Sequence, residues 1–199
     1  RACEAYEAAL ALAASAAPAL REELLEKFAS TCVLVGRYDD AVRAWHDVLA
    51  SCRGKAAAER VMSLCTRLTE ACAKKGEWEK ADAYLAEGFQ VAGGVLSPAT
   101  GKLHHQKAWL LVQRGQCREG IAECETGLDF AARLGDEGLQ AALHNVLGVA
   151  HLHLGIYDAS KQYLERALEV YERLDDVHGL GNALNNLAAL YGYTGHHRK

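Results

Sequence analysis

Apolar residues recur along this chain at spacings of three and four, the signature of helices that bury one face. Leu143, Leu147, Ala150 and Leu154 form one such stripe, and after Gly155 it resumes as Ala159, Tyr163, Ala167, Val170 and Leu174. Glycine ends a helix with a positive φ at no steric cost, so the pattern predicts two helices joined by a tight turn. The turn recurs. Val35-Gly36-Arg37-Tyr38, Lys75-Gly76-Glu77-Trp78, Arg114-Gly115-Gln116-Cys117, Leu154-Gly155-Ile156-Tyr157 and Thr194-Gly195-His196-His197 place their glycines 40, 39, 40 and 40 residues apart. An aromatic residue follows Gly36, Gly76 and Gly155 by two positions. Leu49, Phe89, Leu128 and Leu168 each sit thirteen residues after a turn glycine. A fixed period of this length marks a repeat architecture.

Each period reads as a helical hairpin. Seven residues before the glycines stand Ala29, Thr69, Ala108, Gly148 and Ala188, small side chains that let two helices approach closely. A hairpin with one apolar face must stack on its neighbours, which predicts a single solenoid over residues 1–199. Its expected parts are the second helix of a preceding unit at 1–15 and hairpin units at 22–54, 62–95, 101–134 and 141–174. The first helix of a fifth unit follows at 181–194. With no initiating methionine and no polar capping helix, the chain reads as a central segment of a longer protein. An apolar face is then expected at one or both ends, able to pair with a second copy. Leu190 on the last helix is the position where a lysine would test such pairing.

Composition narrows the function. Half of the 199 residues are hydrophobic but only 7% aromatic, and 36 are alanine, a helix-favouring mixture that leans bacterial. A net charge of -4 and a pI near 6.1 argue against direct nucleic-acid binding. No run approaches the ~18 apolar residues of a membrane span. Glu4 and Glu7 occupy the place of the basic region of a signal peptide. The seven cysteines are odd in number, lack a C-x-x-C pair and read as small buried side chains in a reducing, cytoplasmic setting. Nothing resembles a phosphate loop, a G-x-S-x-G elbow or H-E-x-x-H, so neither an enzyme nor a cofactor is indicated. The nine histidines assemble no compact ligand set with a carboxylate or cysteine, and His104 and His144 are expected at partly buried packing positions.

These residues resemble the tetratricopeptide repeat, whose pattern runs L-G/A … Y … G-x-Y … A … A-L. The closest match is Leu147-Gly148, Gly155-Ile156-Tyr157 and Ala167-Leu168, followed by Asn186-Leu187-Ala188 with Tyr191. The third unit departs most, with Lys107 for leucine, Cys117 for tyrosine and Gly127 for alanine. The long period, the Leu134-Gly135-Asp136 turn and its relative Leu174-Asp175-Asp176 are similar to repeats of kinesin light chains, Leu-Gly-Asn-type adaptors and bacterial signalling ATPases or transcription activators. The resemblance implies an all-α, right-handed α-solenoid whose first helices line a concave groove. Carried over position by position, the groove residues are Arg67, Lys74, Lys102, His105, Trp109, Asn145, His153, Asn182, Asn185, Asn186 and Tyr193. Asn145 and Asn185 share a register, ten before their glycines, and an amide ladder can satisfy the backbone of an extended peptide or bond to neighbouring helices instead.

The expected function is therefore a non-catalytic protein- or peptide-interaction module, the sensor or scaffold part of a larger signalling protein. The alternatives are a structural solenoid that forms a homodimer through its terminal helices or spaces its neighbours, and, more remotely, a response-regulator phosphatase-type repeat protein.

Overall fold

A computed structural model describes residues 2–12, 18–53 and 57–195. Its elements are α1 (Ala2–Leu12), α2 (Pro18–Leu34), α3 (Tyr38–Cys52), α4 (Ala58–Lys74) and α5 (Trp78–Ala92). They continue with α6 (Pro98–Gln113), α7 (Cys117–Leu134), α8 (Glu137–His153), α9 (Tyr157–Arg173) and α10 (Val177–Thr194). The described residues contain no strand. The fold is all-α, built of antiparallel hairpins that stack on their neighbours within two compact units, Arg1–Gly94 and Val95–Lys199.

The hairpin turns are one device used repeatedly. Gly36, Gly76, Gly115 and Gly155 all have φ between 74° and 78°. At Gly155 the next residue, Ile156, donates its N–H back to the His151 carbonyl at 2.9 Å, and Gly155 donates to Leu152 at 3.0 Å. The same long bond recurs from Arg37 to Cys32, Glu77 to Cys72 and Gln116 to Leu111. These bonds satisfy carbonyls that the helix end would leave orphaned. No heavy atom lies within 4 Å of a Cβ built on Gly155, so the requirement is conformational and not steric. Gly155→Ala is expected to lower stability by about 1 kcal/mol in urea unfolding, through the left-handed backbone alone. A cost near zero would show that the turn relaxes to negative φ.

The turns between hairpins differ. Gly135 and Asp175 both adopt left-handed φ, 66° and 53°, and each is followed by an aspartate that caps the next helix. Asp136 Oδ1 accepts from the Leu139 N–H at 2.9 Å, and Asp176 Oδ1 from the Gly179 N–H at 3.0 Å.

In the N-terminal unit α2 pairs with α3, α4 with α5 and α3 with α4, around a core that includes Phe28, Trp45, Leu49, Leu64 and Leu68. In the C-terminal unit α6, α8 and α10 form an inner row. Helix α7 packs on α6 and α8, and α9 packs on α8 and α10. Ala29, Thr69, Ala108 and Gly148 are buried as their register predicts, but Ala188 is exposed. The face of α10 carrying Ala188 also exposes Val177, Leu184 and Tyr191. Leu190 is not on that face: it is 2% exposed and belongs to the core with Leu152, Leu164 and Leu187. Counting from the turn glycine puts Leu190 one residue away from Tyr191, and one residue on a helix is a rotation of about 100°. No helix among the described residues is long and apolar enough to cross a membrane.

Candidate interaction surface

Of the side chains singled out above, Arg67 and Lys74 belong to the N-terminal unit and the other nine to the C-terminal unit. His196 and His197, of the fifth turn motif, lie outside the described residues.

In the N-terminal unit a cavity of about 480 Å³ is lined by Tyr6 of α1, Glu23, Glu26 and Lys27 of α2, and Arg60 and Arg67 of α4, with smaller side chains between them. Its charges are matched internally. Lys27 bonds Glu23 at 2.6 Å, and Arg60 bonds both Glu22 at 2.8 Å and Glu26 at 2.7 Å. Arg67 approaches Glu26 at 3.7 Å, and its guanidinium lies 5.8 Å from the centre of the Trp45 ring. Lys74 is tied to Glu70 one turn earlier, at 2.7 Å. Both predicted cations of this unit are thus engaged by their own chain.

In the C-terminal unit the period of 40 brings equivalent positions of α6, α8 and α10 into rows. Lys102 corresponds to Ala142 and Asn182, His105 to Asn145 and Asn185, Trp109 to Val149 and Ala189, and Gln113 to His153 and Tyr193. On each helix these positions are spaced three, four and four, which is one face. Lys102, His153, Asn182, Asn185 and Tyr193 are exposed, whereas His105, Trp109 and Asn145 are half-buried. Trp109 and Val149 rest against the core formed by Ala108, Leu143, Leu147 and their neighbours, so the middle of the face has an apolar floor. Asn186 donates from Nδ2 to Asn145 Oδ1 at 3.0 Å, joining α10 to α8. The bond therefore runs one residue off the Asn145–Asn185 register, and Asn185 is left exposed.

Beneath this face lies a group that the sequence reading missed. Glu123 of α7, with its side chain 11% exposed, receives His104 Nδ1 at 2.5 Å and Lys107 Nζ at 2.6 Å. Burial disfavours its charged form, but the bonds from His104 and Lys107 outweigh burial and hold the carboxyl below its usual range. The signal was Lys107 itself. It stands where the next two periods have Leu147 and Leu187, and a cation at a core register requires an anion opposite.

His144 and His151 turn toward α9, where their rings lie 5.9 and 5.1 Å from Tyr163. Burial, with Arg166 nearby, depresses the His144 pKa. Among the described residues no three His, Cys, Asp or Glu side chains gather as a metal site. All seven cysteines are buried, and burial pushes the Cys65 and Cys124 thiols up to about 12. Such thiols are poor nucleophiles at neutral pH.

Residues 139–199, covering most of α8 and all of α9 and α10, match the tetratricopeptide repeat family. That segment carries the tetratricopeptide repeat pattern. No curated protein matches it. Among solved structures it is similar to BtubC (BKLC) from P. vanneervenii, with 19% identity, a TM-score of 0.70, and 96% of this chain aligned to 80% of that one. It is also similar to a signal transduction ATPase with numerous domains, carrying a tetratricopeptide repeat sensor, from Pyrococcus horikoshii, with 16% identity and a TM-score of 0.69. That alignment takes in 89% of this chain but 27% of the ATPase. The nearly identical kinesin-light-chain TPR-like repeats of Podosopora anserina give 18% identity and a TM-score of 0.65, over 88% of this chain and 87% of that one. At these identities the likeness is one of fold. The tetratricopeptide repeat fold suits a protein-interaction or scaffold role, because stacked hairpins present a row of helices whose outward side chains vary without disturbing the core.

Proposed function

We propose that the chain is a non-catalytic interaction module that binds an extended peptide segment across α6, α8 and α10. The observation that carries this reading is the alignment of polar, solvent-facing side chains in equivalent rows on three adjacent helices. Asn182 and Asn185 are exposed and bonded to no other side chain among the described residues, so their amides are available to a peptide backbone. Trp109 and Tyr193 add aromatic surface of the kind that anchors binding energy. The likeness to an ATPase sensor region supports a place in a larger regulatory protein. The alanine-rich composition and buried thiols agree with a bacterial, cytoplasmic one.

Panning a random dodecapeptide display library against the full chain tests the reading. Recovered peptides are expected to bind saturably and to lose about tenfold in affinity with the Asn182→Ala/Asn185→Ala double variant, the equivalent of two hydrogen bonds. Both positions are exposed, so the variant keeps its fold. Peptides held equally by the two proteins would overturn the reading.

A second reading, self-association through α10, has its own observation. Leu184 and Tyr191 are exposed at the positions where His144 and His151 of α8 are covered by Tyr163 of α9. Light scattering over a concentration series separates the two, because a dimer of this kind disappears on Leu184→Lys/Tyr191→Lys.

A further inference from the structure

The carboxylates of the C-terminal unit are distributed unevenly between its two helix layers. Helices α7 and α9 of the outer layer carry four acidic residues each. Helices α6, α8 and α10 of the inner row carry one among them, Glu137 in the first turn of α8, and Arg173 neutralises it at 2.6 Å. The three inner helices hold 16, 17 and 18 residues, and an even spread of the chain's 26 acids over 199 positions would place about seven there. Of the aspartates flanking these helices, Asp136 and Asp176 are turned to backbone N–H groups as caps, and Asp175 is exposed in the turn before α10. The inner helices of the N-terminal unit differ. There α2 and α4 mix acids with bases and pair them, as in the bonds of Arg60 to Glu22 and Glu26.

What remains on the C-terminal face, among the described residues, is one unpaired cation and a set of amides. Lys102 is exposed and paired with no acid among the described residues. The bond from Asn186 engages the oxygen of Asn145, and its Nδ2 group has no partner among the described residues. Asn182, Asn185, Gln113 and Tyr193 add exposed amides and a hydroxyl. A face with one unpaired cation and exposed amides, whose nearest carboxylate, Glu123, is buried and held by His104 and Lys107, favours an anion over a cation and offers a carboxylate hydrogen bonds along its length.

We propose that the peptide bound across α6, α8 and α10 is an acidic one, rich in Asp and Glu, with Lys102 supplying the direct charge contact. This rests on the peptide-binding reading above and names the chemistry of its partner. Basic segments are disfavoured for the same reason, since nothing on the face neutralises them.

The recovered dodecapeptides decide the point by their sequences and by two more variants. Asp and Glu are expected to exceed Lys and Arg among them, and their affinity to fall roughly five- to tenfold with Lys102→Glu and about half as steeply with Lys102→Gln. Raising the salt concentration should weaken binding to the parent chain more than to Lys102→Gln. Circular dichroism melting checks that each variant is folded. Neutral or basic peptides that still depend on Asn182 and Asn185 would overturn the acidic partner and leave the peptide-binding reading intact. Acidic peptides insensitive to Lys102 but sensitive to the asparagines would do the same. Peptides insensitive to every variant, or a library that yields no binder, would overturn both.

Discussion

Gly148→Leu is expected to destabilise the C-terminal unit by about 3 kcal/mol or more. A Cβ at this position would stand 2.5 Å from Leu164 Cγ and 3.3 Å from the Ser160 carbonyl of α9. Leu164 is fully buried, with Leu152, Leu187 and Leu190 around it, so it has no free volume to enter. The Ser160 oxygen is backbone and moves only if α9 moves. A leucine there must separate two packed helices, and the gain in helix propensity over glycine, about 0.8 kcal/mol, does not offset that. Gly181→Leu is the control. Gly181 lies on the exposed face of α10, and a Cβ added there would meet nothing within 4 Å, so the same substitution is expected to stabilise by roughly 0.5–1 kcal/mol. Urea unfolding followed by circular dichroism reads both. Equal effects of the two would mean that α8 and α9 are not held at this crossing.

The contrast shows what the sequence could reveal. Gly148 and Gly181 both interrupt apolar stripes, and only the period separates them. Seven residues before a turn glycine is a crossing point, so Gly148 was legible as one, along with Ala29, Thr69 and Ala108. The turns were legible because a left-handed φ admits few residues besides glycine. Partners across the hairpin were not. Glu123 sits on α7 among other exposed-looking acids, and only its burial beside His104 and Lys107 distinguishes it. Of the three departures of the third period from the repeat pattern, two have local reasons. Lys107 meets Glu123, and a Cβ on Gly127 would stand 2.9 Å from Leu143 Cδ2. The asparagine bond falls one residue off the sequence register for a related cause. Adjacent positions on a helix are about 100° apart, and it is Asn186, half-buried, whose amide reaches Asn145 of α8, while Asn185 is exposed. Which acids avoid the inner row is visible in the sequence, but it has meaning only once α6, α8 and α10 are known to lie side by side.

Trp45→Ala is expected to cost the N-terminal unit about 3–5 kcal/mol, while Trp45→Phe costs no more than about 1 kcal/mol. Trp45 is 5% exposed and packs in the core of Phe28, Val48, Leu49 and their neighbours. Truncation to alanine removes the largest apolar surface in that core and leaves a cavity where the indole stood. Phenylalanine loses less volume and also removes a liability, because the buried Trp45 Nε1 has no hydrogen-bond partner among the described residues. An unsatisfied buried donor costs ~1–3 kcal/mol, which offsets much of the lost packing. Phenylalanine also keeps a ring beneath the Arg67 guanidinium, now 5.8 Å from the indole centre. Chemical denaturation followed by far-UV circular dichroism distinguishes the outcomes. If Trp45→Phe were as damaging as Trp45→Ala, the indole N–H would have to be satisfied by bound water, and the ring's contribution would be polar as well as apolar. With the expected result, Trp45 serves as a packing floor that fixes Arg67 against Glu26, which keeps the charges of the N-terminal cavity turned toward one another.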